Sequence, residues 1–258
     1  MVPKLGALRI ATTEELQVSV VLPAYNEAEY LAPAVKKNIQ TLTEFTQSFE
    51  IIIAEDGSTD GTAEKAEQLA QENPQVKHIH RDQRLGRGTA LNNAFRQSQG
   101  QTIVYMDLDM ATDMQFLKPL IEAITKEGYD FSTGSRMLPE SNAERTLGRS
   151  VSSKTYNFLV RKMLGSKLHD HQCGFKAFRR TTVFSLLDEV KAKHWFWDTE
   201  ILVRAQLHGY KVKEIAVNWK SGRATKVNLM KDSWNMFRQV IKLWWGLRKE
   251  KQNLSFCN

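Results

Sequence analysis

Two short β-branched runs, each emptying into a cluster of turn residues, constrain this chain more than any other feature. Residues 17–22 (QVSVVL) lead into Pro23-Ala-Tyr-Asn-Glu, and residues 49–54 (FEIIIA) lead into Glu55-Asp-Gly-Ser-Thr-Asp-Gly. Apolar runs of this length, closed by turn signals, read as buried parallel strands with loops at their C-terminal ends. Between them residues 27–45 carry Leu31, Val35, Ile39 and Leu42 at helical spacing, and residues 62–73 read as a second helix capped by Asp60 or Thr59. The alternation continues with strands at 76–80 and 102–106 and helices at 89–98 and 114–126. A further strand is expected at 130–134, a helix at 152–164, a strand at 172–179, a helix at 199–208 and a half-exposed strand at 211–219. Strand and helix alternating at this pitch predict an α/β fold with a mostly parallel central sheet and helices on both faces. Ligands of such sheets bind outside the carboxyl ends of the strands. The PAYNE, EDGSTDG and Asp107-Leu-Asp segments fall there.

The 258 residues, 41% apolar and 25% charged, can bury a full core, which excludes disordered and disulfide-scaffold classes. Cys173 and Cys257 form no CxxC pair, and the first residues lack a secretory apolar stretch, so a reducing, cytoplasmic location is expected. The longest uncharged run is the eleven residues from Leu16 to Asn26, too short to span a bilayer. Nine basic residues and two acids lie between Lys220 and Lys251, so this segment carries the entire net charge of +7. Within it, residues 232–248 place Trp234, Phe237, Ile241, Trp244 and Trp245 on one helical face, extended by Met236, Val240, Leu243 and Leu247 and opposed by Lys231, Arg238, Lys242 and Lys249. Two readings follow: an interfacial helix on an anionic membrane surface, or a last core helix with a solvated basic face. The three tryptophans favour the membrane, and favour lipid over nucleic acid. The chain is therefore divided into a domain over 17–230 and an amphipathic interfacial helix over 231–251.

Asp107 and Asp109, one residue apart at a strand end, can share a hard divalent cation through oxygen ligands; two aspartates of a turn are the plainer reading. The acids after the second strand can accept hydrogen bonds from a nucleotide, and they also make a good loop and cap. In Arg84-Leu-Gly-Arg-Gly-Thr-Ala the glycines admit a diphosphate to the backbone, and Arg87 can pair with it. The six histidines read as showing no ligand spacing, and no Ser/His/Asp order suggests acyl chemistry.

In order, VVLPAYNE, EIIIAEDGSTDGT, RLGRGTALNNA, YMDLDMATD, TGSR, DHQCGFKAF and WFWDTE resemble glycosyltransferase family 2, whose fold is GT-A, over residues 17–230. The likeness is strongest to the polyprenyl-phosphate branch, the dolichyl-phosphate mannose and glucose synthases; DHQCGFK and DLDMAT resemble the glucosyltransferase side. The resemblance implies that Pro23, Ala24, Tyr25, Glu27, Asp56, Arg87, Asp107, Leu108 and Asp109 hold the nucleotide sugar, with Arg223 and Lys226 in a loop closing over it. It implies Mg²⁺ or Mn²⁺ on Asp107 and Asp109. Where mannose synthases often place a third ligand, a Gln, this chain has Ala111, so water or Asp113 would substitute. Arg136, Arg149 and Lys154 resemble the acceptor-phosphate region. Asp198 and Glu200 lie where relatives with hydroxyl acceptors place a catalytic base, and Asp198 can also be a helix cap. The implied activity is metal-dependent, inverting transfer of a hexose, UDP-glucose favoured and GDP-mannose next, to polyprenyl phosphate at the cytoplasmic face of a membrane, with a membrane-protein partner possible. The alternatives are a family 2 enzyme acting on a lipid or saccharide hydroxyl with Asp198 as base, and a non-catalytic nucleotide-sugar or nucleic-acid binder.

Overall fold

A computed structural model describes residues 16–144, 146–220 and 229–255. Seven strands form one sheet in the order β3-β2-β1-β4-β7-β5-β8: β3 Val76–Ile79, β2 Phe49–Glu55, β1 Val18–Ala24, β4 Thr102–Met106, β7 Phe175–Arg179, β5 Phe131–Ser135 and β8 Val212–Ala216. All neighbours pair in parallel except β7, which runs antiparallel to both β4 and β5. The chain winds outward from β1 through β2 to β3 and then returns to the other side of β1 as β4. That reversal opens a crevice at the C-terminal ends of β1 and β4.

Alternation along the strands divides the core in two. Val18, Val20, Leu22, Ile51, Ile53, Val104 and Met106 face helices α1 (Ala28–Thr43), α2 (Thr62–Glu72) and α4 (Leu117–Thr125). Val21, Ile52, Ala54, Ile103, Tyr105 and Phe178 face α3 (Arg87–Gln97), α5 (Leu147–Leu164), α6 (Arg180–Leu186) and α7 (Trp197–Leu207). On this second face Trp197 is fully buried and meets Phe95, Tyr105 and Phe178 edge-on, with centroids 5.7, 6.1 and 6.3 Å away.

Three expectations change. The strand expected over 172–179 begins only at Phe175, because residues 170–174 form a packed loop. The segment expected as one strand over 211–219 divides at Val217, and β9 (Asn218–Lys220) leaves the main sheet to pair with β6 (Asn142–Glu144). The helix expected from Met114 opens as a 3-10 turn over Met114–Phe116, on which Asp113 is the cap.

The final helix, α8 (Leu229–Ser255), packs on α5. Its buried side is Val240 and Leu243, with Met236, Trp244 and Leu247 half-buried against the second core. Trp234 and Trp245, central to the expected apolar face, point outward, 61% and 55% exposed. The wide apolar arc is thus divided between the core and the surface.

The loop that precedes β7 is anchored by His171. Its Nδ1 donates to Asn157 Oδ1 (2.7 Å), and its Nε2 accepts from the Ser166 hydroxyl (2.7 Å). Burial holds the imidazole neutral, with its pKa pushed down to about 3. An unfolded histidine titrates near 6.5, so its stabilising effect is complete above that pH and is lost as pH falls towards 3. Urea denaturation is expected to show stability falling by up to about 1.4 kcal/mol per pH unit below pH 6.5, and the slope should flatten in His171→Gln.

Candidate active site

The loops after β1 and β2 are laced together by hydrogen bonds. Asn26 takes a left-handed backbone (φ 53°), its Oδ1 accepts from Thr59 N (2.9 Å), and its own N donates to Ser58 Oγ (3.1 Å). Asp60 accepts from Thr62 N (3.1 Å) and Ala28 N (3.3 Å), so one carboxylate serves the starts of α2 and α1. Asp56 is buried, with its two oxygens accepting from Leu85 N (2.9 Å) and Gly86 N (2.8 Å). Gly57 lies against that same stretch, where a side chain would strike the backbone of residues 83–84. Tyr25 carries the Arg84 guanidinium over its ring at 3.8 Å.

At the end of β4 the chain reaches an ion network that crosses the crevice. Arg87, the first residue of α3, donates from Nη2 to Asp107 Oδ1 and from Nη1 to Asp198 Oδ2, each at 2.7 Å. Lys176 of β7 donates from Nζ to Asp198 Oδ1 (2.7 Å) and to the Cys173 carbonyl. Lys176 is fully buried and Asp198 nearly so. Burial alone would depress the Arg87 guanidinium, but Asp107 and Asp198 outweigh it and hold it above its ordinary value. Trp195 and Tyr105 flank the guanidinium, with centroids 4.6 and 4.9 Å away. Desolvation pushes the Asp107 carboxyl above its usual range; Arg87 opposes this, and Asp109 and Asp198 reinforce it.

The DHQCGFK segment frames this network residue by residue. Asp170 binds Arg136 in a fork, Nε to Oδ2 (2.6 Å) and Nη2 to Oδ1 (2.9 Å), and also accepts from Arg136 N. Gln172 Nε2 donates to Thr199 Oγ1 (2.7 Å), which also bonds the Tyr156 hydroxyl (2.6 Å). Gly174 accepts at its carbonyl from Asp107 N (3.0 Å), and a Cβ built on it would overlap the Asp107 carboxylate.

Asp107, Asp109, Ala111, Arg136, Gly174 and Trp219 are among the residues around a cavity of ≈ 70 Å³. That volume suits an ion with one or two waters. Met110, between Asp109 and Ala111, holds a left-handed backbone (φ 51°) that is strained for a methionine. Lys220 N to Ala111 O (2.8 Å) and Asp113 N to Asn218 O (3.1 Å) pin the loop to β9.

Of the residues singled out in the sequence, Arg87, Asp107, Asp109, Arg136 and Asp198 are assembled at this crevice. Pro23, Ala24, Tyr25, Glu27 and Asp56 line up along the ends of β1 and β2, and Leu108 is buried on the opposite face. Asp198 does not cap α7; its carboxylate turns to the two cations. Glu200 belongs to the framework: its Oε2 accepts from Lys191 N (3.1 Å) and Ala192 N (2.8 Å), and its Oε1 from Arg204 Nε (3.1 Å). Arg149 and Lys154 lie on α5, with no hydrogen bond or ion pair to the crevice among the described residues. Arg223 and Lys226 fall outside the described residues. Asp113 is occupied as the cap of the 3-10 turn, accepting from Gln115 N (3.0 Å) and Gln115 Nε2 (2.7 Å). Sequence reasoning passed over Lys176, Arg84 and Trp195. Lys176 was hidden inside an apolar strand, where alternation predicts packing and not chemistry.

The model of glycosyl transferase family 2 matches residues 19–184. The chain belongs to this family. It is 48% identical over 239 residues to the glycosyltransferase AglD of Haloferax volcanii, covering 92% of this chain but only 38% of that protein. It is 28% identical to the dolichyl-phosphate beta-glucosyltransferases of Dictyostelium discoideum and Saccharomyces cerevisiae, covering 89% and 88% of this chain and 74% of each relative. Glucosyl-3-phosphoglycerate synthase of Mycobacterium tuberculosis, solved with Mn²⁺ and UDP-glucose, superposes with a TM-score of 0.62 at 22% identity over 87% of this chain and 76% of that one. The sheet and its flanking helices are the GT-A fold.

In this family 2 glycosyltransferase the crevice suits a hard cation by its own chemistry. Two carboxylates meet at a small polar cavity, one of them made unusually basic by its surroundings, and glycine at 174 keeps the approach to Asp107 open. Gly174→Ala should leave the fold intact while displacing Asp107, and weaken Mn²⁺ binding about tenfold or more in a calorimetric or paramagnetic titration.

Proposed function

We propose that the chain transfers a hexose from a nucleotide-diphosphate sugar to a polyprenyl phosphate, inverting the anomeric centre, with Mg²⁺ or Mn²⁺ held by Asp107 and Asp109. UDP-glucose is the favoured donor and GDP-mannose the next. The observation that carries this reading is the state of Asp198: buried, with one oxygen on Arg87 and the other on Lys176. With a cation on each oxygen the carboxylate is held charged and weakly basic, a poor match to a group that must take a proton from a sugar hydroxyl. A phosphate acceptor is already an anionic nucleophile at neutral pH and needs aiming rather than deprotonation. The names of the dolichyl-phosphate glucosyltransferase relatives point to the same acceptor class.

In this mechanism Tyr25, Glu27 and the loops joined through Asp56 seat the nucleotide. An ion held by Asp107 and Asp109 would supply positive charge to stabilise the departing nucleoside diphosphate. Arg87 lies between the metal carboxylate and Asp198, positioned to neutralise diphosphate oxygens. Asp198 orients Arg87 and Lys176 instead of acting as a base. Arg136, fixed by Asp170, presents a guanidinium at the cavity for the acceptor phosphate, with Arg149 and Lys154 as further cations, while Arg223 and Lys226 would close over the donor diphosphate. Transfer of radiolabel from UDP-glucose or GDP-mannose to a short polyprenyl phosphate, scored in the organic phase, tests the reaction. Asp109→Ala should lower it about a thousandfold. Asp198→Asn should impair phosphate glycosylation without abolishing it; complete loss, with transfer to a hydroxyl acceptor in the parent chain, would shift the reading to Asp198 as base.

The same reading places the 17–230 domain on the cytoplasmic face of an anionic membrane through α8. Among the described residues no helix is long and apolar enough to cross a bilayer. Val151 and Phe158 of α5 and Trp234 and Trp245 of the adjoining α8 are exposed, beside Arg161, Lys162 and Arg238. Exposed tryptophan with surrounding cations suits the headgroup layer, and suits it better than nucleic acid. The chain should float with anionic liposomes, and Trp234→Ala with Trp245→Ala should lower that fraction severalfold; retention on DNA without flotation would contradict the assignment.

A further inference from the structure

On the sheet face opposite the ion network, the ends of β2 and β3 bring together three side chains that the transfer reaction does not use. Glu55, His78 and His80 share the side of the sheet that packs against α1 and α2, by the same alternation that buries Ile51, Ile53 and Val76 there. Each offers a ligand atom, and the three atoms lie within 4.8 Å of one another.

The polar contacts around them are arranged as around a metal. The His78 side chain is 7% exposed, and its Nε2 is buried without a hydrogen-bond partner. Its Nδ1 lies 3.2 Å from Glu67 Oε2 on α2, so that Nδ1–H donates to the carboxylate and the lone pair is left on Nε2. His80 repeats the pattern with the nitrogens exchanged: Nε2 lies 3.3 Å from Asp82 Oδ1, and Nδ1 faces Glu55 Oε2 at 2.7 Å. Glu55 is wholly buried, with Oε1 accepting from Ser58 N and Oε2 turned towards the imidazole. Each histidine therefore has an outer carboxylate, the second-shell pattern of protein metal ligands; His78 has its inner nitrogen free, whereas the inner nitrogen of His80 donates its proton to Glu55 and must lose it to bind an ion.

We propose that Glu55, His78 and His80 bind a Zn²⁺ ion, or another borderline divalent ion, with water in the fourth position. Two neutral imidazoles and one carboxylate are a borderline donor set, unlike the all-oxygen pair Asp107 and Asp109. Replacing the proton shared by His80 and Glu55 with the ion requires those two atoms to part to about 3.3 Å, the edge of a tetrahedron with bonds of about 2.05 Å. His80 is half-exposed at the end of an edge strand and has room to make that movement. The ion would join β3 to β2 at the point where the chain enters residues 81–86, whose amides at 85 and 86 Asp56 holds. Its role is structural, and it does not depend on the identity of donor or acceptor.

The test uses the full chain without a polyhistidine tag, stripped with chelator and kept in excess Mg²⁺ to occupy the hard site. Zn²⁺ is titrated against a chromophoric chelator, and Co²⁺ is followed by its visible absorption. One Zn²⁺ per chain is expected, with Co²⁺ bands of a low-coordinate nitrogen-and-oxygen site. His80→Gln should weaken Zn²⁺ binding at least about 100-fold and Glu67→Gln about 10- to 100-fold, whereas Asp109→Ala should leave it unchanged. His80 is exposed enough for its variant to fold, which circular dichroism would verify. Absence of stoichiometric Zn²⁺, or a site lost in Asp109→Ala and retained in His80→Gln, overturns the proposal.

Discussion

Everything at the crevice depends on how one buried carboxylate is neutralised. Asp198 sits in the first turn of α7, inside a face of the core dominated by Trp197, and a lone charge there would be prohibitively costly. Arg87 from α3 and Lys176 from β7 make it tolerable, and in doing so they fix three elements distant in sequence at one spot. Arg87 then reaches Asp107 at the end of β4, so the same interaction that solves a folding problem also sets the spacing of the charged groups. The arrangement is coupled: loss of Asp198 leaves Lys176 buried without an ionic partner, and loss of Arg87 or Lys176 leaves Asp198 with one cation instead of two.

The strained and glycine positions fall around that network. Left-handed Asn26 and Met110 mark the loops after β1 and β4, and Gly174 permits a backbone approach to Asp107 that no side chain would allow. These conformations persist because the neighbouring strands and β9 determine them from several directions at once. Backbone hydrogen bonds and an interlocked pair of loops hold the cleft in place.

The sequence made the first half of the fold legible because β1 to β4 and their helices keep the period that a parallel sheet demands, and the turn residues fall at the ligand edge. It also brought out Asp107, Asp109, Arg87, Arg136 and Asp198. What it did not reveal has physical causes. Lys176 alternates with apolar residues inside a strand, and nothing local says that its amine meets a carboxylate from α7. Glu200, adjacent to Asp198 in spacing, turns to the backbone of residues 191–192, a direction that only tertiary packing decides. The antiparallel course of β7 and the division of residues 211–219 between two sheets depend on long-range pairing and leave no mark on periodicity. His78 and His80 showed no ligand spacing in a linear reading, because the third side chain arrives from another strand.

The reversed direction of β7 has a topological consequence. In the parallel strands the chain leaves the ligand edge by a loop that follows the strand, but at β7 it arrives there by a loop that precedes it. Length added before Phe175 would therefore enlarge the wall of the crevice beside Arg136, while length added after Arg179 would emerge at the far edge of the sheet. Residues 136–174 are thus the part of the chain where this GT-A scaffold can gain length at the crevice while β1 to β4 keep their register.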